Sequence, residues 1–102
     1  MPECFVIMPI STPETSVSTY SNDTDHFMHV LDFLFKPAIE KAGLIPIAPI
    51  AEGADVIHAQ IIKNLEQADL VLCDMSTLNA NVFFELGIRT AVDKPVCIVK
   101  DD

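Results

Sequence analysis

Four short apolar runs, separated by longer segments of helical periodicity, define the order of elements in this chain. The runs cover residues 4–8, 44–47, 70–73 and 96–99. Short runs that are apolar throughout are typical of strands buried on both faces, as in a parallel sheet. We therefore predict the order β-α-β-α-β-α-β, which gives an α/β fold with a doubly wound parallel sheet. The sheet is expected to be flavodoxin-like or Rossmann-like, with strand order 2-1-3-4.

Three helices are predicted between the runs. They cover residues 26–42, residues 55–67, and the segment from the polar turn at 75–81 to Pro95. The first helix contains Pro37, so we expect it to be kinked there or divided into two pieces. Helical spacing predicts that its apolar face comprises Phe27, Val30, Leu31, Leu34, Ala38, Ile39 and Ala42.

Two features indicate open edges of the predicted sheet. Pro46 and Pro49 lie in and just after the second run, and proline is confined to edge strands and strand ends. Only residues 100–102 follow the last run, whereas a doubly wound domain usually continues with another helix and strand. We therefore expect a single domain, residues 1–102, that is a fragment of a longer protein or has its edge covered by a partner. A homodimer or higher oligomer, with the second half of the chain in the contact, would provide that cover.

The acidic composition limits which classes of partner the protein can bind. The chain has 15 acidic residues against six basic ones, which gives a formal net charge of −9. Bulk nucleic acid requires a basic surface and is excluded, whereas a single small nucleotide is not. No apolar run approaches the roughly 20 residues that span a bilayer. No basic region precedes the first run, so neither a membrane segment nor a signal peptide is expected.

The cysteines indicate a reducing compartment. Cys4, Cys73 and Cys97 all fall within runs that are predicted to be buried strands. An odd number, with no CxxC pair and no histidine at ligand spacing, argues against disulfides and against a zinc site. We therefore expect buried, reduced thiols in a cytoplasmic protein that needs no metal or separate cofactor.

Two carboxylates are the main candidates for chemistry. Asp74 directly follows the third run, and Glu85 lies in or near the first turn of the next helix. The carboxyl ends of parallel strands form the binding crevice of such sheets. A serine- and threonine-rich loop at residues 11–25 is expected over the same edge, either as a lid that contacts phosphate or as a surface excursion. It contains no glycine, so neither a dinucleotide-binding motif nor a Walker motif is present.

Several segments together resemble one family. They are Phe5-Val6-Ile7-Met8-Pro9, Ile57-His58, residues 68–74, residues 79–87 and Lys94-Pro95. These segments resemble the nucleoside 2-deoxyribosyltransferase-like family, which includes 2′-deoxynucleoside 5′-phosphate N-hydrolases and is structurally akin to TIR domains. The resemblance covers nearly the whole chain apart from the serine- and threonine-rich loop. Its most specific part is the polar turn followed by an aromatic residue and Glu-Leu-Gly.

The resemblance implies a small nucleoside or nucleotide substrate and roles for individual residues. In the family a glutamate attacks the anomeric carbon and forms a glycosyl-enzyme intermediate, and the matching residue is Glu85. A carboxylate stabilises an oxocarbenium-like centre and can trap it, and a helix N-terminus would hold that carboxylate ionised. Asp74 is the second catalytic candidate. The residues expected to contact substrate are Met8, Pro9, Ser11, His58, Ser76, Asn79 and Asn81.

The chain differs from the family at the positions expected to supply the acid that protonates the leaving base. Transferases of the family carry an aspartate six residues before the nucleophile, where this chain has Asn79. The phosphohydrolases carry an aspartate three residues after the Ile-His pair, where this chain has Ile61. Asp74, His58 and Asp55 are the alternatives for the acid. Each candidate also has a purely structural interpretation: Asp74 would bond turn amides, His58 would lie on a helix surface, and Asn79 would cap a helix.

Two functional hypotheses follow. The first is an enzyme that cleaves or transfers at the N-glycosidic bond of a nucleoside, a nucleotide or an NAD-like dinucleotide. The second is a nucleotide-binding sensor or signalling module that keeps the crevice without efficient catalysis, which the missing aspartate and the kinship with TIR domains favour. A response-regulator-like or flavin-binding domain is not supported, because no acidic pair follows the first run and no flavin loop is visible.

Overall fold

Parallel strands form the centre of the molecule. The computed structural model describes residues 2–9, 26–48 and 55–100, without the side chains of residues 55–59. Within these residues the strands lie parallel in the order β2-β1-β3-β4. This confirms the predicted sheet and the edge position of the second strand. The strands are β1 (Glu3–Ile7), β2 (Ile45–Ile47), β3 (Leu70–Asp74) and β4 (Val96–Val99).

Helices α1 (residues 26–41), α2 (Asp55–Gln67) and α3 (Ala80–Ala91) connect the strands. α1 is continuous, but its central residues, Leu31–Phe35, form a π turn just before Pro37. Proline has no N–H, and its ring clashes with the carbonyl four residues earlier, so a wider turn allows the helix to continue through it. In the described part of the chain, no helix has the length and apolar character that crossing a membrane requires.

The π turn also decides which side chains of α1 are buried. The buried ones, Phe27, Leu31, Phe35 and Ile39, recur at intervals of four residues, whereas Leu34 is exposed. Ala38 and Ala42 are exposed as well. The prediction that Leu34, Ala38 and Ala42 belong to the core-facing side of the helix is therefore wrong. Positions four apart drift around a regular helix of 3.6 residues per turn, and the wider π turn brings them back over the sheet.

Both faces of the sheet are covered by helices. α1 packs on the face that carries Cys4, Val6 and Met8, and α2 and α3 pack on the face that carries Phe5 and Ile7. Successive residues of β1 thus enter opposite cores, as the pleat of a doubly covered strand requires. This arrangement confirms the doubly wound α/β fold.

β4 is less covered than its sequence predicted. Cys97 is exposed, whereas Cys4 and Cys73 are buried, so the expectation of three buried cysteines is wrong for Cys97. The side chain of Ile98 is also 56% exposed. In the described sheet β4 pairs only with β3 and therefore forms an edge, where an apolar strand is not enclosed on both sides.

Candidate active site at the carboxyl edge of the sheet

The candidate site lies where β1 and β3 end side by side. Ile7 pairs with Cys73, so the residues that follow them, Met8 and Asp74, come to the same edge of the sheet. Met8 and Pro9 are buried, and Asp74 is only 2% exposed. The structure therefore brings three of the predicted site residues together at the edge where such sheets bind ligands.

Asp74 holds the turn that follows β3. Its Oδ1 accepts the backbone N–H of Ser76 at 2.9 Å, and Ser76 is fully buried. The N–H of Met75 donates to the carbonyl of Val99 at 2.8 Å, which extends the contact with β4 by one residue. The interpretation of Asp74 as a residue that bonds turn amides is confirmed.

Two residues of the same turn adopt a backbone conformation that favours glycine. Thr77 has a φ of 62° and Leu78 a φ of 52°. For β-branched and bulky residues this left-handed region costs about 1–3 kcal/mol each, and such strain is found most often at functional sites. The Leu78 side chain is also 60% exposed. The turn thus keeps a shape that its own residues do not prefer.

Asn79 is the N-cap of α3. Its Oδ1 accepts the N–H of Asn81 at 2.9 Å and the N–H of Val82 at 3.3 Å. These bonds satisfy two donors that have no partner within the helix. The predicted capping role of Asn79 is confirmed, and Asn81 lies exposed in the first turn.

Glu85 lies deeper in its helix than predicted. The cap at Asn79 starts α3 at Ala80, so Glu85 falls in the second turn and no acid occupies the first. The side chain is partly buried, and burial raises the pKa of its carboxyl above the ordinary value. The expected stabilisation of the ionised form is therefore outweighed, because the helix-dipole effect falls off within the first turn. Within the described residues, no hydrogen bond or ion pair to this carboxylate is found.

The negative charges of Asp74 and Glu85 both act on the thiol of Cys73, and we call these three residues the carboxylate cluster. Burial, and then the negative charges of Asp74 and Glu85, raise the pKa of Cys73 to about 11. Its Sγ donates to the Sδ of Met75 at 3.5 Å. A thiol that stays protonated is a weak nucleophile. The nucleophile candidate of this cluster is therefore a carboxylate and not the cysteine.

Other predicted site residues lie outside what the structure describes. Ser11 and the whole loop at residues 11–25 are outside the described residues, and so are the side chains of Asp55 and His58 in the first turn of α2. In the ranges that are described, no group of three or more His, Cys, Asp or Glu side chains is placed to hold a metal ion.

The sequence analysis gave no role to Arg89, which is fully buried. Its Nε and Nη2 donate to the carbonyl of Pro95 at 3.2 and 3.0 Å, and its Nη1 donates to the carbonyl of Leu65 at 2.9 Å. Arg89 thereby joins α3 to the end of α2 and the start of β4. Its spacing in the sequence could have indicated that it is buried, because Val82, Leu86 and Arg89 lie at i, i+4 and i+7 on one face of the helix.

A polar cleft of about 300 Å³ lies at the opposite, amino-terminal edge of the sheet. Its walls include Glu3, Lys63 and Asp69, and Asp69 Oδ2 accepts the N–H of Glu3 at 2.8 Å. These residues precede or begin the strands, so the cleft is separate from the carboxylate cluster.

Comparison with known proteins identifies the fold. The structure is similar to a 2-desoxiribosyltransferase from Leishmania mexicana, with a TM-score of 0.67 and 20% sequence identity over the whole of this chain. The match covers 66% of that enzyme's chain, so this chain spans about two thirds of its length. No protein-family model matches the sequence, and no curated protein matches it. The chain therefore has a nucleoside deoxyribosyltransferase-like α/β fold.

Proposed function

We propose that this protein cleaves or transfers at the N-glycosidic bond of a nucleoside or nucleotide, with Glu85 as the nucleophile. The observation that carries the proposal is the state of Glu85: it is partly buried, has a raised pKa and shares a cluster with Asp74. Asp74 lies at the carboxyl edge of a fold shared with a deoxyribosyltransferase. A carboxylate with a raised pKa is a stronger base and, once ionised, a stronger nucleophile.

The proposed reaction has two displacements at one carbon. The ionised carboxylate of Glu85 attacks the anomeric carbon while the bond from that carbon to the base nitrogen breaks, through an oxocarbenium-like transition state. The base leaves with the bonding electron pair and takes a proton from an acid. Water or a second base then attacks the same carbon and gives up a proton, which releases the free sugar or a new nucleoside and regenerates the Glu85 carboxylate.

Asp74 is better suited to positioning than to donating the proton. Its Oδ1 already accepts the N–H of Ser76, and the side chain is almost completely buried. We propose that Asp74 stabilises the strained backbone conformation of the turn at Thr77 and Leu78, which would contact the sugar. His58 and Asp55 are then the remaining candidates for the acid.

Base release from a panel of nucleosides, nucleotides and NAD, separated by chromatography, tests this function. Adding a second free base to the same reactions distinguishes transfer from hydrolysis. Glu85→Gln should lower the rate by at least about a thousandfold, because the covalent step loses its nucleophile. Glu40→Gln, at an exposed glutamate of α1, is the matched control and should keep the wild-type rate. Equal rates for the two variants would reject Glu85 as the nucleophile.

A nucleotide-binding sensor is the second candidate function, and Asn79 favours it. This residue stands where the resembled transferases carry an aspartate, and its side-chain oxygen is engaged by two backbone N–H groups of α3. If the protein is a sensor, a bound nucleotide should raise the melting temperature of the protein. No base should be released, even when protein and nucleotide are at equal concentrations. An enzyme would release base from the ligand that stabilises it.

A further inference from the structure

The turn between β3 and α3 holds an exposed leucine in a backbone conformation that leucine disfavours. Leu78 has a φ of 52°, directly after Thr77 at 62°, and its side chain is 60% exposed. In the left-handed region the Cβ atom lies too close to the backbone carbonyl, so bulky residues rarely adopt it. Less than half of this side chain is covered, so packing in the fold offers little compensation for the strain.

Other left-handed positions in the described part of the chain carry residues that suit the conformation. Gly43 follows the end of α1 with a φ of 84°, and Asp93 follows the C-cap of α3 with a φ of 54°. Glycine has no Cβ, and aspartate is several-fold enriched in this region. Both positions shortly precede a strand and therefore lie at the amino-terminal edge of the sheet. The residues that resist the conformation, Thr77 and Leu78, lie at the carboxyl edge instead.

Hydrogen bonds hold the turn in this shape. Asp74 Oδ1 accepts the N–H of Ser76 at 2.9 Å, and the N–H of Leu78 donates to the carbonyl of Met75 at 3.1 Å. The next residue, Asn79, caps α3 through its side chain. The backbone of Leu78 is therefore fixed before any ligand arrives, and preorganisation of this kind lowers the entropy cost of binding.

We propose that Leu78 packs against the flat face of the nucleobase of the substrate and contributes to its binding. The inference rests on the proposed function and deepens it. The turn follows Asp74 at the carboxyl edge, where sheets of this type bind their ligands. The face of a base is the least polar surface of a nucleotide, and proteins cover it with aromatic or apolar side chains. Strain retained at such a place indicates a role in function rather than in folding.

The chemistry of leucine predicts how it would discriminate among bases. Its side chain has no donor or acceptor, so it cannot recognise the hydrogen-bonding edge of a base. Its contribution should instead grow with the apolar area that the base and the side chain remove from water. A purine has two fused rings and presents a larger face than a pyrimidine. Leu78 should therefore contribute more to the binding of purine nucleotides.

Calorimetric titration of the Glu85→Gln protein tests this contact, because that protein cannot form the proposed covalent intermediate. The ligands are 2′-deoxyadenosine 5′-monophosphate, 2′-deoxycytidine 5′-monophosphate and 2-deoxyribose 5-phosphate, which has no base. Adding Leu78→Asn removes the apolar group and supplies a residue that tolerates a left-handed backbone, whereas Leu78→Met keeps an apolar side chain. Leu34→Asn is the matched control, because Leu34 is 58% exposed on α1. Circular dichroism melts measure the stability of each protein.

We expect Leu78→Asn to weaken the binding of the purine nucleotide at least about fivefold and that of the pyrimidine nucleotide less. Any binding of 2-deoxyribose 5-phosphate should be unchanged. Leu78→Met and Leu34→Asn should both keep the affinities of the Glu85→Gln parent. Leu78→Asn should also melt no lower than the parent, because it relieves strain in the turn.

Unchanged nucleotide affinity in Leu78→Asn would overturn the proposal, and so would an equal loss for the sugar phosphate that has no base. A lower melting temperature for Leu78→Asn, with full stability in Leu78→Met, would show instead that the leucine is retained for packing. A parent protein that binds neither nucleotide would also reject the contact. Base release by the wild type is measured separately, so the proposed function can fail while Leu78 is still shown to contact a bound base.

Discussion

Glu85 and Arg89, one turn apart on α3, differ in how their charges are satisfied. Glu85 is partly buried, and the described residues provide its carboxylate with no hydrogen bond or ion pair. One turn later Arg89 is fully buried and donates to the carbonyls of Leu65 and Pro95. A buried charge whose donors are satisfied holds elements together, whereas a buried carboxylate without donors costs stability. The comparison separates a position of α3 that stabilises the fold from a position that is suited to chemistry.

Arg89→Met removes the hydrogen bonds of the guanidinium group and should have the largest effect on stability. The carbonyl of Leu65 would lose its donor, and the carbonyl of Pro95 would keep only the N–H of Val71. The free energy of unfolding should therefore fall by about 1–3 kcal/mol. Urea denaturation measures this change. Lys36→Met is the control, because Lys36 forms an exposed ion pair with Asp32 that is worth less than about 1 kcal/mol. Equal losses in the two variants would show that Arg89 does not hold the elements together.

Asn79→Ala, at the N-cap of α3, should have a smaller effect on stability. Without the side-chain oxygen, the N–H groups of Asn81 and Val82 lose their acceptor, and the free energy of unfolding should fall by about 1 kcal/mol. Asn79→Asp keeps an acceptor at the cap and should stay within about 0.5 kcal/mol of the wild type. If both variants lost the same stability in urea, the cap would not be the reason that α3 begins at Ala80.

Glu85→Gln should have the smallest effect on stability, and the size of this effect should depend on pH. The pKa of Glu85 is raised in the folded state from its ordinary value of 4.5. Below 4.5 both states of the wild type are protonated, and the variant should match it. As the pH rises through 4.5 towards the raised value, the unfolded state ionises first, so the wild type loses stability relative to Glu85→Gln.

Denaturation curves of both proteins between about pH 4 and pH 8 would measure this difference. Glu40→Gln controls for the loss of one negative charge at an exposed position. A wild type that gains stability over Glu85→Gln as the pH rises would mean that the carboxylate is satisfied in the folded state. Glu85 and Arg89 would then both be buried charges with satisfied hydrogen bonds, and the difference between them would not exist.

The sequence predicted the fold because its apolar runs are short, continuous and separated by helical periodicity. Its errors arose where burial depends on neighbours. Cys97 lies in an apolar run yet is exposed, because β4 is an edge strand of the described sheet. Leu34 fits regular helical spacing yet is exposed, because a π turn before Pro37 changes that spacing. Neither an edge nor a π turn can be read from local hydrophobicity.

The candidate site was predicted to the level of residues but not of their environments. The turn-bonding role of Asp74 and the capping role of Asn79 follow from local backbone chemistry, and both were predictable. The raised pKa of Glu85 depends on what α3 packs against, and a sequence does not specify this. Arg89 was missed because a charged residue on an apolar stripe is recognised only when its carbonyl partners, distant in sequence, are known.

Detection of a covalent sugar ester on Glu85 tests the central claim most directly. Wild-type protein would be mixed with a nucleotide that it turns over and quenched in acid, and its intact mass and proteolytic peptides would then be measured. We predict a mass increase equal to one glycosyl group, located on the peptide that contains Glu85 and absent from Glu85→Gln. Base release by the wild type without an adduct, or with the adduct on another residue, would contradict the assignment of Glu85 as the nucleophile.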